Sequence, residues 1–177
     1  MLDEKRIKEA ELNVIRYMDE GLLKKTDTDI QIMKVLLKNA KESLRVSEEI
    51  HQQNISALWV IVCSYYSMYY YANAALLKFK YKVGDKIVHK VTSDALIVYI
   101  RSKLKKSLIE DYETTKDEAL NIAGIKADSL IESFDFERKK RGFIQYETID
   151  FEKQSKAKTS LLRAKEFAKE MEKLLIE

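Results

Sequence analysis

The sequence predicts an all-α protein: a four- to five-helix up-and-down bundle with extra short helices, in one domain over residues 1–177. Three observations predict it. The 177 residues contain no proline and only four glycines, so few positions force a turn, and Lys, Glu, Leu, Ile and Ala, which are compatible with helix, supply much of the chain. Residues 52–77 run for 26 residues without a charge in a protein that is 34% charged. The other segments place apolar residues three or four apart with charges between them, the pattern of helices that pack one face on such a segment. The length suits a single domain, and 46% apolar content is enough to fold it.

Taken in order, Ile7, Ala10, Val14 and Met18 mark one face of a helix over residues 3–20, with Gly21 as its stop. Thr26, Asp27, Thr28 and Asp29 offer N-caps to a second helix ending near His51, whose inner face carries Ile32, Leu36, Ala40, Ser43, Leu44 and Ile50. The third helix is the uncharged stretch, over residues 56–80. Leu58, Ile61, Val62, Tyr65, Tyr69, Ala72, Leu76 and Phe79 form one stripe, and Trp59, Tyr66, Tyr70 and Leu77 a second. Val60, Ser64, Ser67, Tyr71 and Ala74 form a third, smaller-sided face. A helix apolar on every side is expected to be buried on every side, with the small face receiving another helix, from this chain or from a second subunit.

Residues 81–89 read as a turn or short loop, and a fourth helix is expected to begin near Thr92 or Ser93 with Ala95, Leu96, Tyr99, Ile100 and Leu104 inward. Residues 111–125 show a weaker pattern, read with the stretch after them as one or two short helices, and Gly124 and Gly142 as breaks. The last helix, over residues 151–176, has the cleanest period, with Ala157, Leu161, Ala164, Ala168, Met171 and Leu175 in steps of four and three.

Composition narrows the function. A net charge of +3 from 32 basic and 29 acidic residues is a mixed surface, but the charge is unevenly spread. Residues 78–106 hold nine Lys/Arg against Asp85 and Asp94, a local excess of seven, and Arg138-Lys139-Lys140-Arg141 forms a second basic cluster. Cys63, the single cysteine, lies in the uncharged stretch and reads as a core residue, so neither a disulfide framework nor a thiolate cage is expected. Four dispersed glycines build no P-loop or dinucleotide fingerprint. Glu48-x-x-His51 is a single copy of a spacing that a di-iron bundle needs twice, and with two histidines in the chain no metal site and no cofactor is expected. The uncharged stretch is long enough for a membrane span, but its five tyrosines sit in the middle and not at interfacial ends, so no membrane role is expected. The charged N-terminus, with no apolar leader, points to the cytoplasm.

The order of a long amphipathic helix, the text SYYSMYYYANAALL, the pair His89-Lys90, an arginine-rich break and a final AxxxLLxAxxFxxxMxxLL helix resembles the HEPN domain family, in its small stand-alone prokaryotic branch. The resemblance covers residues 34–175. It implies a helical bundle and a homodimer, with many members acting as metal-independent endoribonucleases, some as toxins restrained by a partner nucleotidyltransferase antitoxin. The family's signature, an arginine followed after four to six residues by a histidine, falls here on Arg141 and Tyr146, so the histidine position carries tyrosine. Arginine suits the phosphorane charge and histidine suits proton transfer, whereas tyrosine, with a pKa of about 10, can donate a hydrogen bond or stack on a base. The resemblance thus names Arg141 and Tyr146 as the catalytic pair. Arg138, Lys139, Lys140 and His89 are the candidate nucleic-acid contacts, and RNA or a nucleotide-bearing partner the ligand. A non-catalytic module that docks a nucleotidyltransferase is the alternative, and a solvated basic turn with tyrosines serving only as core remains a third.

Overall fold

The first three helices each begin at a side chain that supplies a missing acceptor. Asp3 accepts from the amide of Arg6, Asp29 from those of Gln31 and Ile32, and Ser56 from that of Trp59; such caps stabilise a helix by about 1 kcal/mol each. The resulting elements, in a computed structural model that describes residues 2–135 and 147–176, with side chains described for residues 2–122 and 154–176, are α1 (Glu4–Asp19), β1 (Leu23–Lys25), α2 (Ile30–Gln52), α3 (Ala57–Lys78), β2 (Tyr81–Val83), α4 (Val88–Ala95), α5 (Lys106–Asp135) and α6 (Glu147–Ile176). A π-helical turn (Leu96–Ile100) and a 3-10 turn (Arg101–Lys103) join α4 to α5.

α1 ends as its glycine predicts. Gly21 takes φ +69°, which lets Leu22 N–H donate to Tyr17 C=O at 2.8 Å and Gly21 N–H donate to Met18 C=O at 3.2 Å, the paired bonds of a Schellman stop. Asn54 does the same for α2 at φ 50°, with Ile55 N–H donating to Ile50 C=O at 3.1 Å. Both turns reverse the chain within a few residues.

α2, α3, α5 and α6 alternate in direction. Ser47 of α2 donates to the carbonyl of Val60 and meets Ser64, at 2.9 and 2.8 Å, while Thr28, just before α2, donates to the carbonyl of Leu77 near the end of α3, so α2 runs antiparallel to α3. Lys41 pairs with Glu172 and Glu48 with Lys165, so α6 also runs against α2 and therefore along α3. Ser160 donates to Glu118 at 3.1 Å while Arg163, three residues on, pairs with Asp111, which sets α5 against α6. The four form the up-and-down bundle, and α3 lies at its centre, packed on α2, α6 and α5. Ala72 and Ala75 of α3, with Ala157 and Ala164 of α6, are fully buried; side chains this small let helix axes approach closely.

Four expectations need correction. Residues 81–89 are not simply a loop: Tyr81–Val83 pairs antiparallel with Leu23–Lys25, in the register Leu23 with Val83 and Lys25 with Tyr81. Three-residue strands are too short to show a two-residue period, and the pairing is non-local. α4 starts at Val88, not near Thr92, so Thr92, Ser93 and Asp94 are buried interior residues and not caps. Residues 111–125 belong to one continuous helix, α5, and Gly124 lies within it; a single glycine costs a helix only about 1 kcal/mol. Finally, α3 is not buried on every side. The small face is covered within the chain, with Val60, Ser64, Ser67, Tyr71 and Ala74 all buried, whereas Trp59 is 54% and Tyr66 36% exposed. The open side is the first part of the second stripe, Trp59 and Tyr66, while Leu77 at its end is buried; tyrosine and tryptophan carry a polar group that tolerates water, whereas Ala and Ser set helices close together.

No helix among the described residues is long and apolar enough to cross a membrane. Cys63 is half-buried, and burial pushes its thiol pKa up, away from nucleophilic character.

Candidate functional site

Of the candidate site residues, His89 is the one the structure describes; Arg138, Lys139, Lys140, Arg141 and Tyr146 lie outside the described residues. His89 stands in the first turn of α4. The residue that launches this helix, Ile87, adopts φ 42° and ψ 35° with no side-chain cap. A β-branched residue in the left-handed region costs on the order of 1–3 kcal/mol and persists only where the surroundings impose it. Here the ribbon from Tyr81 and the buried body of α4 fix both ends.

His89 packs on the open side of α3. Its ring centre lies 5.0 Å from that of Tyr69, 5.5 Å from that of Tyr65 and 5.9 Å from that of Tyr66, which meets it edge-on at 81°. The Tyr65 hydroxyl and His89 Nδ1 are 2.7 Å apart and share a hydrogen bond. Tyr65 continues inward to Tyr112, at 6.0 Å, and Tyr112 to Phe167, at 5.6 Å. A chain of rings thus runs from the surface at Tyr66 to the middle of the bundle. Its spacing follows from α3, since residues 65, 66, 69 and 70 fall within about one turn and on adjoining faces.

Burial first, and the nearby Lys116 second, lower the His89 pKa from 6.5, so the imidazole is neutral at pH 7. Burial raises the pKa of Tyr65, of Tyr69 and of Tyr112. The cluster is therefore uncharged, with hydroxyls that stay protonated and ring faces available for stacking. Lys90, Lys116 and Asp117 line a polar cleft that runs from beneath α4 toward α1.

That cleft's deeper wall is a second constellation, absent from the sequence reading. Asp94 is fully buried and accepts from Arg6 Nη2 at 2.6 Å, Asn13 Nδ2 at 3.0 Å and the Tyr17 hydroxyl at 2.9 Å. Arg6 also donates to Glu113 at 2.7 Å, and Ser93 donates to the same carboxylate at 2.9 Å. Burial and the bond to Asp94 push the Tyr17 pKa up to about 12. The cluster ties α1 to α4 and α5 and so holds the helix that presents His89. One signal could have found it: Asp94 is the lone charge in the run VTSDALIVYI, where an acid inside an apolar segment demands a partner.

Glu48, of the Glu-x-x-His pair, is engaged by Lys165 at 2.8 Å. Among the described residues no three His, Cys, Asp or Glu side chains cluster so as to hold a metal ion. Chemically, the arrangement around His89 can stack planar rings and exchange neutral hydrogen bonds; its one shared nitrogen is already committed to Tyr65. In comparisons with family models, with curated proteins and with solved structures, the chain matches none.

Proposed function

We propose that this protein is a HEPN-like homodimer that binds RNA, with single-stranded bases stacking on the aromatic face around His89 and phosphates drawn by its basic segments. The observation that carries the reading is the group Tyr65, Tyr66, Tyr69 and His89, which reaches the surface at Tyr66 and has Lys116 close enough to act on His89. Every base has a ring face, and stacking on one aromatic side chain contributes about 1–3 kcal/mol. The second contribution comes from Arg138, Lys139, Lys140 and Arg141, on the resemblance set out above. Ile55 and Trp59, 65% and 54% exposed, offer an apolar patch on which a second copy would seat.

Binding without cleavage is the favoured form. The position that carries histidine in the family's motif is Tyr146, and a phenol, with a reference pKa of about 10, is a poor general base at neutral pH; His89 Nδ1 is already engaged. The test is fluorescence anisotropy with a labelled single-stranded RNA in EDTA, followed by gel analysis of the RNA. Expected are saturable binding that weakens steeply with salt, at least a tenfold loss for Arg141→Ala and for Tyr66→Ala, and intact RNA throughout. Unchanged affinity in both variants would sink the reading, and RNA cleavage abolished by Arg141→Ala would replace it with an endoribonuclease.

The same exposed Ile55 and Trp59 favour a second reading, a module that docks a protein such as a nucleotidyltransferase antitoxin. It predicts that Trp59→Ser abolishes copurification with that partner and leaves RNA affinity unchanged.

A further inference from the structure

α1 is apolar on two sides. Its inner side, Ala10, Val14 and Tyr17, is buried, and α1 packs there on α4 and the π-helical turn after it. On the opposite side Leu12 and Ile15 stand 70% and 60% exposed. We infer that this outer ridge is a self-association face, on which α1 of one copy pairs antiparallel with α1 of a second copy. The inference goes beyond the homodimer proposed above, which uses the patch at Ile55 and Trp59.

Spacing is the first support. Lys8, Leu12, Ile15 and Asp19, all exposed, follow one another in steps of four, three and four along the line farthest from the buried side. That is the seam spacing of two helices packed along their length. Exposed apolar residues scattered singly need no partner. Leu12 and Ile15, three apart on one helix, instead form a continuous patch.

Charge then names the occupant. With a two-fold axis between Asn13 and Val14 and the helices antiparallel, Leu12 of each copy meets Ile15 of the other, and Lys8 of each meets Asp19 of the other. Glu9 and Arg16 lie on one flank of the ridge, and antiparallel helices bring like flanks together, so these two face each other as well. The two-fold axis makes every contact occur twice. A parallel pair would set Lys8 against Lys8 and Asp19 against Asp19, which repel. The ridge is thus complementary to itself in one orientation only.

These charges are not spent within the chain. Among the described residues Lys8, Glu9 and Asp19 make no ion pair, and Arg16 reaches Glu20 only at 3.9 Å. Asp19 is the last residue of α1. There the helix dipole favours a cation, so the carboxylate does not serve its own helix.

The experiment is sedimentation equilibrium on the full chain and on Leu12→Asp, Lys8→Glu, Asp19→Lys and Trp59→Ser. All four positions are exposed, and circular dichroism melts confirm that each variant folds. Expected is self-association of the parent at micromolar concentration, weakened at least tenfold by Leu12→Asp, by Lys8→Glu and by Asp19→Lys. Mixing Lys8→Glu with Asp19→Lys in equal amounts should restore association to within threefold of the parent, because each variant then offers the other opposite charges at both pairs. General damage to the surface would not be rescued by mixing. The inference is overturned if the parent stays monomeric up to a hundred micromolar, if Leu12→Asp associates as the parent does, or if the mixture fails to recover. Association lost in Trp59→Ser and kept in Leu12→Asp overturns the α1 pairing and spares the homodimer on Ile55 and Trp59. Association lost in Leu12→Asp and kept in Trp59→Ser supports the α1 pairing alone, and parent species larger than dimers that either variant reduces to dimers support both faces.

Discussion

Two polar constellations share helix α4, and they are built in opposite ways. Asp94 and His89 are five residues apart, so they point about 140° away from each other around the helix. Around Asp94, Arg6, Asn13 and Tyr17 turn their donors inward onto one buried carboxylate. Around His89, one hydrogen bond to Tyr65 is made, and the remaining groups are ring faces and hydroxyls at or near the surface. The first arrangement spends its polarity within the chain and acts on position and stability. The second leaves polarity uncommitted, which is what a ligand surface needs. One helix can carry both because its two sides face different neighbours, α1 on one and α3 on the other.

The contrast can be broken most severely at its closed end. Asp94→Ala strands Arg6 and Tyr17 in a buried setting and should cost about 3–5 kcal/mol in urea unfolding; a loss below about 1 kcal/mol would mean that the cluster is not a structural tie. Tyr17→Phe removes one donor to the same carboxylate and should cost about 1.5–3 kcal/mol by the same assay. On the open side, Tyr65→Phe deletes the bond to His89, for which about 0.5–1.5 kcal/mol is expected. Tyr66→Ala, at the surface, should alter stability by no more than about 0.5 kcal/mol while weakening RNA binding; a large stability loss with unchanged binding would make the tyrosine a packing residue.

A pH experiment sharpens the same comparison without mutation. Since the folded-state pKa of His89 lies below the ordinary 6.5, the unfolded chain binds the proton first as pH falls. The stabilisation tied to neutral His89 is complete above about 6.5 and is lost as pH drops from there through the folded-state value. Imidazole NMR titration should give a midpoint under 6.5, and His89→Gln should flatten the acid-side fall in stability; a midpoint at or above 6.5 contradicts the buried, lysine-flanked environment.

Local signals proved legible where they acted locally. Asp3, Asp29 and Ser56 stand as caps at the starts that the apolar period marks, and Gly21 ends α1. These are effects among residues within one turn, so the chain reports them directly. His89 was legible as a candidate, but its setting was not, because Tyr65, Tyr69 and Lys116 reach it from other helices. Arg6 gave no warning at all: in α1 it reads as a solvated charge, and only the packing of α1 on α4 and α5 turns it inward.

By itself the sequence determined the helical class, the starts and stops of the first three helices, and the central place of the uncharged α3, since these depend on apolar period, caps and total apolar content. Which side of α3 faces water was a tertiary decision. Of the helices packed on α3, α2 and α6 take the small face, where close approach buries most, leaving Trp59 and Tyr66 outward. The short β1–β2 pair and the buried Asp94 have the same origin: each is assembled by residues distant in the chain, whose meeting no local spacing records.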